Sequence, residues 1–244
     1  MRKLLFAFCL AVAVPAMAAP PDFTSVLADP RRPDADKQRD DARKPAAMLA
    51  FANVRAGSKV MDLIPGGGYF TRLFAGAVGP KGRVFAYQPS EFDNFLKGKE
   101  PPVVAVAAVY PNVTVIHASV NTIAAPDKLD LIWTSQNYHD LKNGKEADTA
   151  LVNKAAFAAL KPGGLYIILD HAAADGSGVR DTNTLHRIDE AAVKAEVTAA
   201  GFVFIGASDV LRNPADARNL VVFDPAIRGH TDQFVLKFRK PGGR

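Results

Sequence analysis

The sequence predicts an α/β fold, a Rossmann-like doubly wound sheet of seven strands that is mostly parallel and ends in an antiparallel C-terminal hairpin. Three observations carry that expectation. From residue 60 onward, short β-branched or aliphatic runs alternate with turn residues and helical stretches. The runs are continuously apolar, as strands covered on both faces must be. The first of them ends in three consecutive glycines, Gly66, Gly67 and Gly68, that lead directly into a helical stretch.

The chain opens with Arg2 and Lys3, continues through an apolar stretch from Leu4 to Val14 and reaches Ala16, Met17 and Ala18, the pattern of a secretory cleavage site. Residues 1–18 are therefore read as a signal peptide, and the mature protein as periplasmic or secreted. That stretch falls short of the roughly 20 residues that span a bilayer, and no later segment is long and apolar enough, so no stable membrane insertion is expected. Cys9, the only cysteine, lies inside the signal. The mature chain then lacks thiols, which excludes disulfides, zinc thiolates and a cysteine nucleophile. Loss of Arg2 and Lys3 leaves 28 basic against 25 acidic residues, a net charge of +3 in place of +5, too small and scattered to imply nucleic acid.

Pro20, Pro21, Pro30 and Pro33 crowd residues 19–34, which read as an extended arm ahead of one domain over 35–244. Residues 35–53 read as helical, with Pro45 opening a second helix at its first turn. The predicted strands are Val60–Ile64, Arg83–Gln88, Val113–His117, Leu129–Thr134 and Leu165–His171. Helices are expected over 69–78, over 90–109 in pieces, over 146–160 and over 189–200, the last with Asp189 as N-cap. Phe202–Asp209 and Gln233–Phe238 form the C-terminal pair. The connection between them, Leu211–Thr231, is long enough to be a candidate lid.

The segment VMDLIPGGGYFT, Val60–Thr71, runs a buried strand carrying Asp62 into the glycines and then a helix. Glycines let a backbone turn sharply and approach a ligand, and the helix start behind them offers free N–H groups. This segment resembles motif I of the class I S-adenosylmethionine-dependent methyltransferases. GPKGRVFAYQ resembles that family's second strand, DLIWTSQNYHDL its fourth with the following loop, LKPGGLYIILDH the lead into its fifth, and AAGFVFIGASD its sixth. Together with the export signal, the PGGGY turn, the NYHD loop and the LKPGG segment are most similar to the predicted exported methyltransferases. The resemblance covers about residues 45–240. It implies S-adenosylmethionine as cofactor, held by Asp62, Gly66, Gly67, Gly68, Tyr69, Gln88 and Ser119. Two positions depart from the family pattern. Ile64 stands where the first glycine is usual, and Gln88 replaces the acid that holds the ribose, which weakens that hydrogen bond by about 1 kcal/mol.

Ser135 to Asp140 follow the fourth strand and so open onto the same crevice as the glycine turn. His139 is the residue there able to act as a base near neutral pH, with Asp140 to orient it and Asn137 and Tyr138 to place an acceptor. The plainer alternative is that His139 caps a backbone carbonyl and ends the strand. His171, after Asp170, is expected on the same edge. A metal would need a third ligand, His186 or Asp175, and no helical ligand spacing supports one, so no metal is expected. Arg39, Asp40, Arg43 and Lys44 are candidates to fold over the cofactor's carboxylate or an anionic acceptor, Arg187 and Arg212 to lie near the mouth, and Trp133 to be core. The expected partner is a methyl acceptor, a small molecule or envelope component, with no nucleic acid. Two other functions stay open: a binding module that kept the fold without the chemistry, and a metal-assisted hydrolase using His139 and His171.

Overall fold

The computed structural model describes residues 22–144 and 146–242. The predicted signal peptide, with Cys9, and the first residues of the arm lie outside the described residues.

Seven strands, β1 (Lys59–Leu63), β2 (Arg83–Pro89), β3 (Val113–Ala118), β4 (Leu129–Ser135), β5 (Leu160–His171), β6 (Val203–Ser208) and β7 (Gln233–Arg239), form one sheet in the order β3-β2-β1-β4-β5-β7-β6. The first five are parallel to one another, and β7 is antiparallel to both β5 and β6. The predicted fold is therefore present, with one refinement at the C-terminus. The last strand inserts beside β5 and leaves β6, with its largely exposed side chains, at the edge.

Alternation along β1 divides the core. Val60 packs on one face with Leu73 and Phe74 of α5 (Tyr69–Val78) and with Trp133, which is core as expected. Met61 and Leu63 pack on the other face with Val152 of α8 (Thr149–Ala159) and Val193 of α9 (Glu190–Ala199). Asp148 and Asp189 cap α8 and α9 by accepting backbone N–H groups of their first turns. No helix among the described residues is long and apolar enough to cross a membrane.

The segment expected to be an extended arm, residues 19–34, is instead helical in part. Its described part folds into α1 (Thr24–Leu27) and a turn leading to α2 (Asp34–Lys37). Phe23 and Val26 are buried, Val26 directly against Gly76 of α5. Two apolar side chains worth about 1.5–3 kcal/mol each on burial outweigh the proline content, and Pro33 falls in the cap position, where it breaks no helical hydrogen bond. After α3 (Asp40–Arg43), Pro45 opens α4 (Pro45–Phe51) as predicted.

Residues 211–231 carry no helix or strand. They are tied down by Arg187, fully buried, which pairs with Asp216 at 2.8 Å and donates to the Leu220 carbonyl. Removing one partner of such a buried pair costs about 3–5 kcal/mol. The candidate lid is thus anchored at its middle, and Arg187 serves that anchor, not the mouth of a cleft. Arg212 is likewise taken up, by Glu190 and Asp232.

Candidate functional site

Parallel strands place the backbone that follows them along one sheet edge, and here the turns after β1, β2, β4 and β5 enclose a cleft with two chambers. The larger, about 570 Å³, is lined by Gln88, Glu91, Phe92, Phe95, His139, Asp140, His171, His186 and Phe223 among others. The smaller, about 180 Å³, is lined by Arg39, Arg43, Asp62, Tyr69, Ser135 and Asn137. Ile64, Gly66, Gly67 and Gln136 border both, so the glycine turn is the ridge between them.

The three glycines have different reasons to be glycine. A Cβ at Gly66 or Gly67 would meet open space, and these two form the ridge. At Gly68 a Cβ would come 2.6 Å from the Val106 side chain, so this glycine admits α7 (Val104–Val109), which follows the short α6 (Asp93–Leu96), against the start of α5. Ile64 sits at φ +62°, a backbone region costly for a β-branched residue, which explains why a glycine suits the position better.

In the smaller chamber Asp62 is buried and accepts a hydrogen bond from Thr71 Oγ1 at 2.6 Å. Burial pushes its carboxyl up to about 7, against the pull of Thr71 and of the Arg43 charge. Arg43 donates to Gln136 Oε1 at 2.7 Å and has no carboxylate within ion-pair distance among the described residues. Burial and the neighbouring Arg39 lower its affinity for its proton, against the pull of Tyr69, Asp36 and Asp62. Ser135 Oγ, also buried, lacks a protein partner among the described residues. Tyr69 donates to Asp40, and Asp40 also holds the buried Arg32. Lys44 turns outward to Asp41. Of the charged stretch, then, Arg39 and Arg43 face the chamber.

In the larger chamber His139 is fixed by Asp170, not by Asp140 alone. Asp170, fully buried, accepts from the His139 backbone N–H and pairs with Nδ1, both at 2.8 Å. Burial alone would lower the His139 pKa, but Asp170 and Asp140 lift it to about 10. Burial depresses His171, which bonds Thr231 Oγ1, to about 4. The expectation that His139 acts as a base near neutral pH is corrected accordingly: with two carboxylates beside it, the ring holds its proton. Its Nε2 faces Asp140 Oδ1 at 3.3 Å and His186 Nδ1 at 3.3 Å.

Several predicted residues play other parts. Tyr138 points away from the cleft, fully buried, with its hydroxyl bonded to Glu196 and Asn153, because the chain reverses into a tight turn at residues 139–142. Asn137 donates to the Ile64 carbonyl at 2.9 Å and ties the two loops together. Ser119 donates to Glu91 and so acts behind the wall. Asp175 pairs with Arg218 and is not part of the histidine group. Sequence reasoning missed Glu91, whose carboxylate lies three residues beyond Gln88 and also accepts from the Val120 N–H. An acid closely following the second strand was the available signal.

No family model matches the chain. The ubiquinone/menaquinone biosynthesis C-methyltransferase UbiE of Pasteurella multocida is 34% identical over 121 residues, 49% of this chain and 42% of that protein. Its Burkholderia mallei counterpart is 30% identical over 126 residues, 51% and 48% of the two chains. The chain thus spans about half the length of the curated relatives it matches. Among solved structures, a SAM-dependent methyltransferase from Aquifex aeolicus superposes with a TM-score of 0.58 at 19% identity, covering 89% of this chain and 98% of that one. This is the class I methyltransferase fold. The [4+2]-cyclase SpnF shares it, with a TM-score of 0.62 at 16% identity over 88% of this chain and 85% of that one. The methyltransferase fold therefore leaves the chemistry to be argued from the cleft.

Proposed function

We propose that the chain is a class I S-adenosylmethionine-dependent methyltransferase acting on a small, apolar, oxygen-bearing acceptor or an envelope component with those properties. The observation that carries this reading is the pair of chambers meeting at Gly66 and Gly67, one polar and cationic, the other largely apolar. The residues fit the cofactor. Arg39 and Arg43 would hold its carboxylate, Asp62 and the unpartnered Ser135 hydroxyl its amine, Gln88 and Glu91 its ribose, and Phe92 and Phe95 its base. Glu91 offsets the loss of an acid at Gln88. When bound, the cofactor supplies a sulfonium methyl group that an acceptor attacks in line.

The protein's part is to hold the acceptor and keep water out. His139, locked through Nδ1 by Asp170, presents Nε2 to the larger chamber, where it orients an acceptor oxygen. Val222 and Phe223 close the opposite side with apolar surface. The partial likeness to UbiE proteins supports methyl transfer, and the apolar walls support the acceptor class.

Calorimetric titration with S-adenosylmethionine and S-adenosylhomocysteine tests this. The wild type is expected to bind both. Gly67→Val, whose Cβ meets no atom within 4 Å and whose position needs no left-handed backbone, is expected to abolish binding with an unchanged melt. A wild type that binds neither at millimolar concentration refutes the reading.

We read residues 1–18 as directing export, which makes the mature protein periplasmic or secreted. Mass spectrometry of the recovered protein is expected to show an N-terminus after Ala18 or Ala19, and intact Met1 would overturn the localisation.

A further inference from the structure

The larger chamber holds a cluster whose convergence on His139 methyl transfer alone does not explain. His139 Nε2, His186 Nδ1 and Asp140 Oδ1 converge, with separations of 3.3 Å between the two nitrogens, 3.3 Å from His139 to Asp140 and 3.6 Å from His186 to Asp140. Two imidazole nitrogens can face each other at that distance only with a proton or a cation between them. A tetrahedral ion with bonds of about 2.0–2.1 Å sets its ligand atoms about 3.3–3.4 Å apart. An octahedral ion with bonds of that length sets neighbouring ligands about 2.8–3.0 Å apart. Two sides of the observed triangle match the tetrahedral spacing, and the third, at 3.6 Å, is longer still and further from the octahedral one.

Two further features bear on the same group. Asp170 fixes the far nitrogen of His139, the outer-shell arrangement that orients a metal-binding imidazole and raises its basicity. His186 adopts φ +54°, and this unfavourable backbone turns its ring toward His139 and Asp140, where it packs on Phe223. All three residues line the chamber, so a fourth position opens into it.

The geometry points to a zinc(II) site made by His139, Asp140 and His186, with an open position for an oxygen donor such as a hydroxyl or phenol. His171 bonds Thr231 through Nδ1 and lies outside the group of converging ligand atoms. The site differs from the His139 and His171 pairing considered from the sequence, and from the expectation of no metal. It does not depend on methyl transfer.

The test uses mature protein purified without a histidine tag and stripped with chelator, then titrated calorimetrically with zinc chloride. Cobalt(II) serves as the spectroscopic probe. One equivalent of zinc is expected, with the visible absorption of tetrahedral cobalt. His186→Asn tolerates the left-handed backbone yet removes the imidazole. It and Asp140→Asn are each expected to weaken binding by more than the ~10–100-fold cost of losing an outer-shell partner. His171→Ala is expected to leave the affinity unchanged, and a thermal melt checks that each variant is folded. No uptake by the wild type overturns the site, because a proton then occupies the triangle. So does uptake that survives His186→Asn or is lost in folded His171→Ala.

Discussion

Asp62 is a carboxyl group held at a cost, and replacing it with asparagine should expose that cost. In the unfolded chain it ionises in the ordinary carboxylate range, near 4. In the folded protein burial holds its proton to about 7. Between those values the unfolded state has released a proton that the folded state keeps, so stability falls as pH rises, and above pH 7 the loss is complete. About three pH units at 1.36 kcal/mol each give about 4 kcal/mol. The asparagine variant has no such proton, yet its side-chain carbonyl can still accept from Thr71. Calorimetric melts of wild type and Asp62→Asn from pH 4 to 8 are expected to nearly coincide at pH 4. At pH 8 the variant should melt on the order of 10 °C higher in a domain of this size. Taking the difference removes the opposing slopes of His139 and His171, which both proteins share. Saturating S-adenosylmethionine should narrow the gap, because a bound amine gives the ionised Asp62 a partner. Parallel curves, or a variant destabilised more at pH 8 than at pH 4, would refute the argument that burial sets this carboxyl's pKa.

Arg43→Gln removes the cation that faces the smaller chamber without a carboxylate of its own. Cofactor affinity measured by calorimetry should drop about 10–100-fold, the 1.5–3 kcal/mol of a charged hydrogen bond, with no loss of melting temperature. Ile64→Gly relieves a left-handed β-branched residue worth about 1–2 kcal/mol of strain and widens the passage between the chambers. It should bind the cofactor at least as tightly, and a clearly weaker titration would show that the isoleucine side chain itself makes the contact. Tyr138→Phe leaves buried Asn153 without its partner and should cost about 1–3 kcal/mol in a denaturant melt while cofactor binding is unchanged. Weaker binding with intact stability would restore Tyr138 to the cleft.

The strands were legible because a strand buried on both faces has to be a continuous apolar run, and the helix starts at Pro45 and Asp189 because capping chemistry is local. The first short helix, α1, was hidden, since it is held by Phe23 and Val26 on a surface made by residues some fifty positions later. For the cleft, residue type and order along the sheet edge were enough to bring Asp62, Gly66, Gly67 and His139 to its walls. Direction was another matter. Tyr138 and His139 are adjacent, yet the turn that follows β4 sends the first into the core beside α9 and the second into the chamber.

The His139 and Asp170 pair shows what a further step of sequence reasoning can reach. β4 and β5 are parallel and in register at Ser135 and Leu169, so the residues just past those positions come side by side at the carboxyl edge. An apolar strand with Asp170 next to its end, beside a loop carrying His139, therefore brings a buried carboxylate within reach of an imidazole through sheet pairing and the short turn after β4. His186 is different in kind, because it arrives on the irregular stretch between β5 and α9, where no periodicity fixes the path. Its position depends on a parallel bridge from Ala172 to Ile188 and on the Arg187 and Asp216 anchor beside it. A cleft built this way has one wall written in strand register and the other in a buried ion pair. Substitutions at Asp216 should therefore move His186 and leave the Asp170 contact of His139 in place.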